Sequence, residues 1–284
     1  MRFLSVYRSE RFSPNMVSAD AAILDAVSDR LKQLGHSVVF VSEDKLTDMI
    51  DDIDSYNLVF GMMRDSDVIE EVAEKCQDTL FLNPLYGVLD CNERVALLEI
   101  FMDENISMPA CALYTHLGIK SNDDIDFPFW IKKGDGCAQV KEDTCYVTTN
   151  EEASSVIDDF KSRGITSFAV QRHIAGDLIK FYGVEGTDFF YWRYASDGHS
   201  KFGLESINGK EHGYPFSVSD LKRLADKASV AVDVPVYGGD CVVTENGDMF
   251  IIDFNDWPSF SCCREEAAAA IVTRIMSMVE KIEK

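Results

Sequence analysis

The chain has 284 residues, of which 46% are hydrophobic and 11% aromatic, so we expect a sizeable core and little disorder. With 27 Lys and Arg against 49 Asp and Glu, the net charge of −22 argues against DNA, RNA or an anionic membrane as a partner. Eight cysteines without a CxxC pair or regular spacing indicate reduced thiols in a cytoplasm, and we expect neither a signal peptide nor a membrane-spanning run.

Strands and helices alternate over the first 85 residues. Helical spacing over 16–34 predicts a helix that Gly35 ends, and a polar helix is predicted around 65–76. The predicted strands are short apolar runs at 3–7, 38–41, 58–61 and 79–82. Continuous apolar strands separated by helices are typical of a parallel sheet covered on both faces. The sequence therefore predicts a small parallel α/β domain over residues 1–85.

Two cations accompany the next elements. Residues 90–104 have helical spacing and predict one helix, with Arg94 in its first turns. An apolar strand ends at Lys132 and Lys133, directly before the loop Gly134-Asp135-Gly136. A Lys at such a place can hold a phosphate as a point charge, helped by backbone N–H groups. The alternatives are a surface Arg on an amphipathic helix and two solvated lysines at a strand exit.

The segment from Gln171 to Asp177 follows an apolar strand. It can line an adenine slot through the backbone of Arg172, His173 and Ile174, while Gln171 reads the edge of the ring. Asp177 is then a candidate to bind a ribose hydroxyl. The alternative is a plain turn between two strands, in which His173 is structural.

Further cations follow downstream, namely Lys180, Arg193, Lys210, His212 and Arg264. Arg264 comes soon after the acidic segment described next, so it can meet an anionic substrate. The alternative is that Arg264 begins the last helix with an ordinary salt bridge to Glu265 or another neighbour. The stretch 196–217 is expected to help set specificity, although nothing in it identifies a ligand.

The most informative segment is a predicted hairpin over residues 239–255. Asn246-Gly247 is the strongest short hairpin signal, and the flanking runs are rich in β-formers. Strand alternation places Asp253 and Asn255 on one face, with Asp240 facing them from the partner strand. Carboxylate and amide oxygens are the ligands that Mg²⁺ prefers, together with substrate phosphates. The alternative is that these side chains are ordinary turn or edge residues.

Other catalytic signatures are missing from the sequence. It contains no Gly-x-Ser-x-Gly elbow, no His-Glu-x-x-His zinc helix and no P-loop, and no Gly-x-Gly-x-x-Gly follows the first strand. The first domain is therefore not expected to bind a dinucleotide in the Rossmann manner.

In their order along nearly the whole chain, these segments resemble the ATP-grasp superfamily. The resemblance rests most on Asp253-Phe254-Asn255, which closes the hairpin. Within the superfamily the chain resembles ribosomal-protein glutamate ligases, glutathione-synthetase-like ligases and inositol phosphate kinases. It implies an α/β and α+β architecture with ATP between two lobes. The implied division is a preATP-grasp domain at 1–85, an N-lobe at 86–170 and a C-lobe at 171–284.

The resemblance also implies roles for individual residues. Arg94 and Lys132 match the two phosphate-binding cations, and the span from Gln171 to Ile174 matches the adenine hinge. Asp177 and Lys180 match the ribose-side acid and the basic residue after it. The ligands of two Mg²⁺ ions fall on Asp240, Asp253 and Asn255.

Two positions and one loop depart from the pattern. Ser259 stands where relatives often have Gly after Asn-x-x-Pro, which affects the acceptor pocket. Gly238 stands where D-alanine ligases carry an Arg that steadies the tetrahedral intermediate, which disfavours that subtype. The phosphate-covering loop at 134–139 has fewer glycines than in many relatives.

The function implied is an ATP- and Mg²⁺-dependent ligase that joins a carboxylate to an amine through an acylphosphate. Its expected partners are small-molecule carboxylate and amine substrates or a peptide terminus. The enzyme is expected in the cytoplasm, with a homodimer as one arrangement, residues 134–140 as a lid, and Arg264 among the catalytic residues with Lys132 and Arg94. Two alternatives stay open. One is a kinase of the inositol phosphate type on the same fold, and the other is a nucleotide-binding protein without turnover.

Overall fold

The computed structural model describes residues 1–13, 17–136, 140–197 and 207–281. Within them the chain forms three β-sheets, which follow one another along the sequence. None of the described helices combines the length and the apolar character that crossing a membrane requires.

The first sheet is parallel, with the strand order β2-β1-β3-β4. Its strands are β1 (Arg2–Tyr7), β2 (Ser37–Ser42), β3 (Leu58–Gly61) and β4 (Phe81–Leu82). Its helices are α1 (Val17–Gln33), α2 (Ile50–Ile53) and α3 (Ser66–Lys75). The strands β1, β3 and β4 are largely buried because apolar side chains pack on both faces of the sheet, whereas the edge strand β2 is partly exposed. The predicted parallel arrangement is confirmed.

The second sheet is antiparallel, with the order β6-β5-β9-β7-β8. The helices around it are α4 (Leu85–Asn92), α5 (Arg94–Asp103) and α6 (Asn150–Ser162). Its strands are β5 (Cys111–Thr115), β6 (Gly118–Ser121), β7 (Phe129–Lys133), β8 (Thr144–Val147) and β9 (Phe168–Arg172).

The single helix predicted over 90–104 is wrong. Glu93 is extended (φ −88°, ψ 102°) and separates α4 from α5. Its carboxylate accepts a hydrogen bond from the backbone N–H of Gly136, so a tertiary contact overrides the helical preference of this residue. The break makes Arg94 the first residue of α5.

The third sheet is antiparallel, with the order β11-β10-β12-β13. Its elements are β10 (Asp177–Val184), β11 (Phe190–Tyr194), α7 (Val218–Ala231), β12 (Val236–Val243), β13 (Met249–Asp256) and α8 (Arg264–Glu280). The predicted hairpin is confirmed as β12 and β13, whose turn contains Gly247 at φ +84°. Apolar contacts join this sheet to α1 through α8 and to α5 through α7.

Two polar contacts fasten the first sheet to the third. The side chain of Asn83 donates to the backbone oxygen of Val236 and accepts from its N–H, at 2.8 and 2.7 Å. Arg64 lies 2.9 Å from the buried carboxylate of Asp256 at the end of β13. The strand that carries Asp253 and Asn255 is therefore held from the side of the first sheet as well.

Candidate active site

Four charged residues form a row across the third sheet. Arg193 on β11 pairs with Lys180 on β10, Lys180 pairs with Asp240 on β12, and Asp240 pairs with Asp253 on β13. Residues paired directly across antiparallel strands project from the same face. The register therefore places two cations and two anions side by side on one surface.

Lys180 and Asp240 form an ion pair at the centre of this row. The Lys180 Nζ lies 2.7 and 3.0 Å from the two carboxylate oxygens of Asp240. Burial lowers the pKa of Lys180, but the charge and hydrogen bond of Asp240 outweigh burial and raise it. Burial raises the pKa of Asp240, and the charge of Asp253 raises it further. Lys180 lowers this pKa but does not outweigh the other two. Asp240 therefore already holds one cation.

Asp253 and Asn255 lie on the same face, as alternation predicted. The amide Nδ2 of Asn255 donates to Asp253 Oδ2 at 2.9 Å, which leaves the Asn255 amide oxygen as the atom able to face a cation. The Asp253 side chain keeps 36% of its surface exposed. Burial opposes its ionisation, but Arg94, Lys132 and Asn255 together lower its pKa. Asp253 is therefore an ionised and accessible carboxylate at neutral pH.

Lys132 reaches from the second sheet to the third. Its Nζ donates to Gln171 Oε1 at 2.7 Å and to the backbone oxygen of Ile252 at 2.9 Å. Burial, helped by Arg94 and opposed by Asp253, lowers the pKa of Lys132 to about 8. Of the two lysines at this strand end, Lys132 is therefore the one that enters the site.

Arg94 approaches the carboxylate of Asp253 from the start of α5. Its Nε donates to the backbone oxygen of Lys133 at 3.1 Å, and its Nη1 lies 3.4 Å from Asp253 Oδ1. The next residue, Val95, donates its N–H to the oxygen of Gly134. A Cβ on Gly134 would lie 2.7 Å from Val95 and Ser167 side-chain atoms, so the start of the predicted lid needs glycine. Residues 137–139 of that lid lie outside the described residues.

In the predicted adenine hinge, the side chains of Gln171, Arg172 and His173 each contact other protein groups. Gln171 is buried on Lys132, and its amide NH₂ has no hydrogen-bond partner within the described ranges. Arg172 points to Asp123, 3.9 Å away, and to the backbone of Asp124. His173 Nδ1 lies 3.2 Å from the indole nitrogen of Trp130, and burial lowers the pKa of His173.

The end of the hinge is tied to the segment 207–217. Ile174 offers its backbone oxygen to Asn208 Nδ2 at 3.1 Å. Only 1% of the Asp177 side chain is exposed, and it accepts backbone N–H groups of His212 at 2.6 Å and Tyr214 at 2.8 Å. Burial alone would raise the pKa of Asp177, but these hydrogen bonds lower it. The nucleotide roles of residues 171–177 stay predictions.

A cavity of about 420 Å³ lies beside Asp177, on the side of the predicted specificity segment. Its lining includes Leu178, Ala195, Ser196, Lys210 and Glu211. The cavity is thus flanked by both described parts of the stretch 196–217. Residues 198–206 of that stretch lie outside the description.

Arg264 is the first residue of α8. Its Nε is buried and has no hydrogen-bond partner in the described part of the chain. Glu265, weighed above as its partner, instead lies 2.8 Å from Arg30 of α1. The substrate role of Arg264 stays a prediction.

Sequence reasoning named Arg193 only as one cation among several. Its place beside Lys180 depends on the register between β10 and β11. Alternation within one strand gives the face of a residue but not its partner on the next strand. Covariation between positions 180 and 193 is the kind of signal able to reveal this neighbour.

The oxygen atoms of this site fit a Mg²⁺ ion that is also bound by a phosphate, rather than an ion enclosed by protein ligands alone. Among the described residues no group of three or more His, Cys, Asp and Glu side chains converges as a metal site. Two carboxylates and an amide oxygen, on Asp240, Asp253 and Asn255, match the one or two carboxylates that Mg²⁺ takes from proteins beside substrate phosphates. The Lys180 ammonium on Asp240 shows that this face accepts a positive charge.

Sequence comparisons identify no relative. No protein-family model matches the chain, and no curated protein matches it.

Solved structures with the same fold are found. A crystal structure of D-alanine–D-alanine ligase from Bacillus anthracis complexed with ATP aligns with a TM-score of 0.68 and 12% identity, covering 99% of each chain. Another crystal structure of that ligase has a TM-score of 0.62 and 12% identity, covering 99% of this chain and 96% of the other. At this identity the likeness shows the fold. The predicted ATP-grasp architecture is confirmed.

Proposed function

We propose that the chain is an ATP- and Mg²⁺-dependent ligase that joins a carboxylate to an amine through an acylphosphate. One observation carries the proposal: Lys132 and Arg94, from the second sheet and α5, meet Asp253 of the third sheet at the charged row. Anion-binding cations and oxygen ligands for a metal thus face each other across two sheets. The full-length likeness to a ligase solved with ATP supports the same function.

In this proposal ATP lies between the second and third sheets. The division into 1–85, 86–170 and 171–284 then separates an N-terminal unit from two ATP-binding lobes. The span from Gln171 to Ile174 borders the adenine, and the unpartnered NH₂ group of Gln171 supports a polar ligand there. We propose that Asp177 contributes by holding the segment 207–217, since backbone N–H groups occupy its carboxylate.

Asp240, Asp253 and Asn255 would hold two Mg²⁺ ions. Mg²⁺ supplies neutralisation of the phosphate charge when bound. The Lys180 ammonium is paired with Asp240, so a metal ion held by Asp240 would leave Lys180 free to bind the phosphates or the acceptor. Lys180 thereby stays in the site as a cation.

The chemistry of the two half-reactions then follows. The substrate carboxylate attacks the γ-phosphorus, the bond to the β-phosphate oxygen breaks, and ADP leaves. Lys132 and Arg94 hold the phosphate oxygens, so catalysis consists mostly of positioning and electrostatic stabilisation. The amine next attacks the acyl carbon, phosphate leaves with the bonding electron pair, and the amine gives up a proton. We propose that Arg193 and Arg264 hold the acceptor.

The acylphosphate must be kept from water. We propose that residues 134–140 close over the phosphates as a lid. The described start of this loop is anchored on α5 by Gly134 and Glu93, whose carboxylate binds the N–H of Gly136.

The substrates we propose are a small carboxylate and an amine, or a peptide terminus, other than D-alanine. Gly238 stands beside Asn255, and a Cβ there would lie 2.9 Å from Pro258, so this position has no room for an Arg. We place the enzyme in the cytoplasm, where ATP is available, and the seven described cysteines are free thiols. A homodimer is part of the same proposal.

Phosphorus NMR with Mg-ATP and pooled carboxylates, amines and polyols tests the proposal. A ligase produces ADP and free phosphate only when a carboxylate and an amine are both present. A phosphoester signal would instead establish the kinase. Bound ATP without ADP from any pool would mean that the substrate is outside the pools or would move the non-catalytic alternative to first place. Asp253→Asn serves as the inactive control.

A further inference from the structure

Two adjacent cysteines lie in the loop between β13 and α8. Cys262 is exposed, whereas Cys263 is 4% exposed and occupies the position before the first residue of α8. Their sulfur atoms lie 3.9 Å apart. The pair thus combines a thiol that solvent reaches with a sheltered thiol beside it.

The surroundings of Cys262 favour its thiolate. The hydrogen bond with Cys263 and the nearby guanidinium of Arg193 outweigh burial and lower the pKa of Cys262 to about 6. The N-terminus of a 17-residue helix adds positive potential at the pair. The other titratable groups that face the pair are Tyr182, Tyr191 and Glu266.

Cys145 provides an internal contrast. This half-buried thiol lies on β8 in the second sheet, and burial with nearby carboxylates raises its pKa. Since the thiolate is the nucleophile in thiol–disulfide exchange, Cys262 and Cys145 are expected to differ in reactivity by far more than their exposure suggests.

We propose that Cys262 and Cys263 form a thiol–disulfide exchange site for low-molecular-weight disulfides of the glutathione type. The Cys262 thiolate attacks one sulfur of the disulfide, which forms a mixed disulfide and releases one thiolate. The Cys263 thiol then loses its proton to solvent and attacks the Cys262 sulfur, releasing the second thiolate. Two protein thiols are oxidised to a disulfide, and one small disulfide is reduced to two thiols.

The geometry makes this modification reversible. The Cα atoms of consecutive residues are about 3.8 Å apart, below the roughly 4.4–6.8 Å that most disulfides span. Closing the ring between Cys262 and Cys263 therefore costs strain, and the disulfide returns readily to two thiols.

The modification also acts on the charged row. Oxidation removes the thiolate charge beside Arg193 and pulls on the loop directly before Arg264. On the proposed function Arg193 and Arg264 hold the acceptor, so the oxidised protein is expected to bind its acceptor differently while ATP binding changes little. ATP turnover with the pooled carboxylates and amines, compared before and after oxidation, measures this change.

Intact-protein mass spectrometry with oxidised glutathione tests the site itself. We expect a glutathione adduct on the wild type that converts to a species lacking two hydrogens, and dithiothreitol restores the original mass. Cys263→Ser is expected to trap the adduct on Cys262, and Cys262→Ser to remove both products. Cys145→Ser is the matched control and leaves the reaction unchanged. Circular dichroism verifies that each variant is folded.

Arg193→Gln separates a specific site from a merely exposed thiol. With the guanidinium removed, the pH at which adduct formation reaches half its maximal rate should rise. Where Cys263→Ser does not fold, peptide mapping of the wild type after brief exposure still shows whether the first adduct sits on Cys262. Modification of Cys145 as fast as Cys262, or a folded Cys263→Ser that traps nothing, overturns the proposal.

Discussion

Asp177 and Asp253 are both carboxylates of the third sheet, but their partners differ. Asp177 is almost wholly buried and is held by backbone N–H groups of the segment 207–217, which no ligand can replace without unfolding that segment. Asp253 is partly exposed and is held by side chains that can move, from Arg94 and Asn255. This comparison indicates that a carboxylate held by movable side chains can turn to a ligand, whereas one held by backbone N–H groups is structural.

The largest effect is expected for Asp253→Asn, which keeps the shape of the side chain but removes its charge. Loss of one preorganised electrostatic group lowers turnover by about 100- to 1000-fold, and the melting temperature should hardly change. Steady-state ATP turnover and thermal unfolding provide the two measurements. The exposed turn residue Asp248 supplies the control, because Asp248→Asn changes the same charge on the same hairpin. Equal turnover in both variants would end the metal assignment.

A pH dependence is expected next, at Lys132. Since its folded-state pKa is lowered to about 8, below the ordinary 10.5, the folded protein loses this proton first as the pH rises. The free energy of unfolding therefore rises with pH between these two values through this group. Over the same range kcat/KM falls, because neutral Lys132 holds phosphate poorly.

Urea unfolding without ATP, at pH values from about 7.5 to 10.5, measures how the free energy of unfolding depends on pH. This range includes both the folded-state pKa of about 8 and the ordinary value of 10.5. The Lys132→Met variant should lack this rise and should lose turnover at every pH. A wild-type stability curve parallel to that of Lys132→Met would contradict the lowered pKa.

Asp177→Asn is expected to act mainly on stability. The substituted amide loses one acceptor oxygen for two backbone N–H groups, and the cost of a buried donor left unsatisfied is about 1–3 kcal/mol. Urea unfolding measures this loss, and the ATP KM of the folded variant should stay within about tenfold of the parent, a range worth roughly 1.4 kcal/mol. A much higher ATP KM without loss of stability would instead favour direct ribose binding.

The smallest expected effect belongs to Lys180→Met. Removing the ammonium from Asp240 leaves a carboxylate that no longer competes with a cation, so Mg²⁺ should bind the ATP-free protein more tightly by several-fold, roughly 1 kcal/mol. Isothermal titration calorimetry measures this affinity. Lys222→Met, which breaks the pair with Asp226 on α7, is the matched control. Weaker Mg²⁺ binding in Lys180→Met would show that Lys180 supports the metal site rather than occupying it.

The hairpin of β12 and β13 was predictable from the sequence because its signals are local. Asn246-Gly247 determines the turn, and alternation along one strand aligns Asp253 with Asn255. The pairing of Asp240 with Asp253 is confirmed. The apolar strands of the first sheet were equally predictable, since their hydrophobic runs need no knowledge of the rest of the chain.

Contacts between distant segments were beyond this reasoning. Glu93 has a good helical propensity, yet its bond to Gly136 breaks the predicted helix. The partners of Asp177 come from positions 212 and 214, which no spacing rule connects to it. The neighbour relation between Lys180 and Arg193 depends on strand register, and register depends on the whole sheet.

The ion pair between Arg64 and Asp256 has a consequence for how this chain can be divided or recombined. Asp256 is fully buried one residue beyond Asn255, and its cation comes from the first sheet. An N-terminal unit without a cation at position 64 would leave a buried carboxylate without a counter-charge, at a cost of about 3–5 kcal/mol. A chimaera that exchanges the N-terminal unit must therefore bring a basic residue at position 64, or it destabilises the strand that carries the proposed metal ligands.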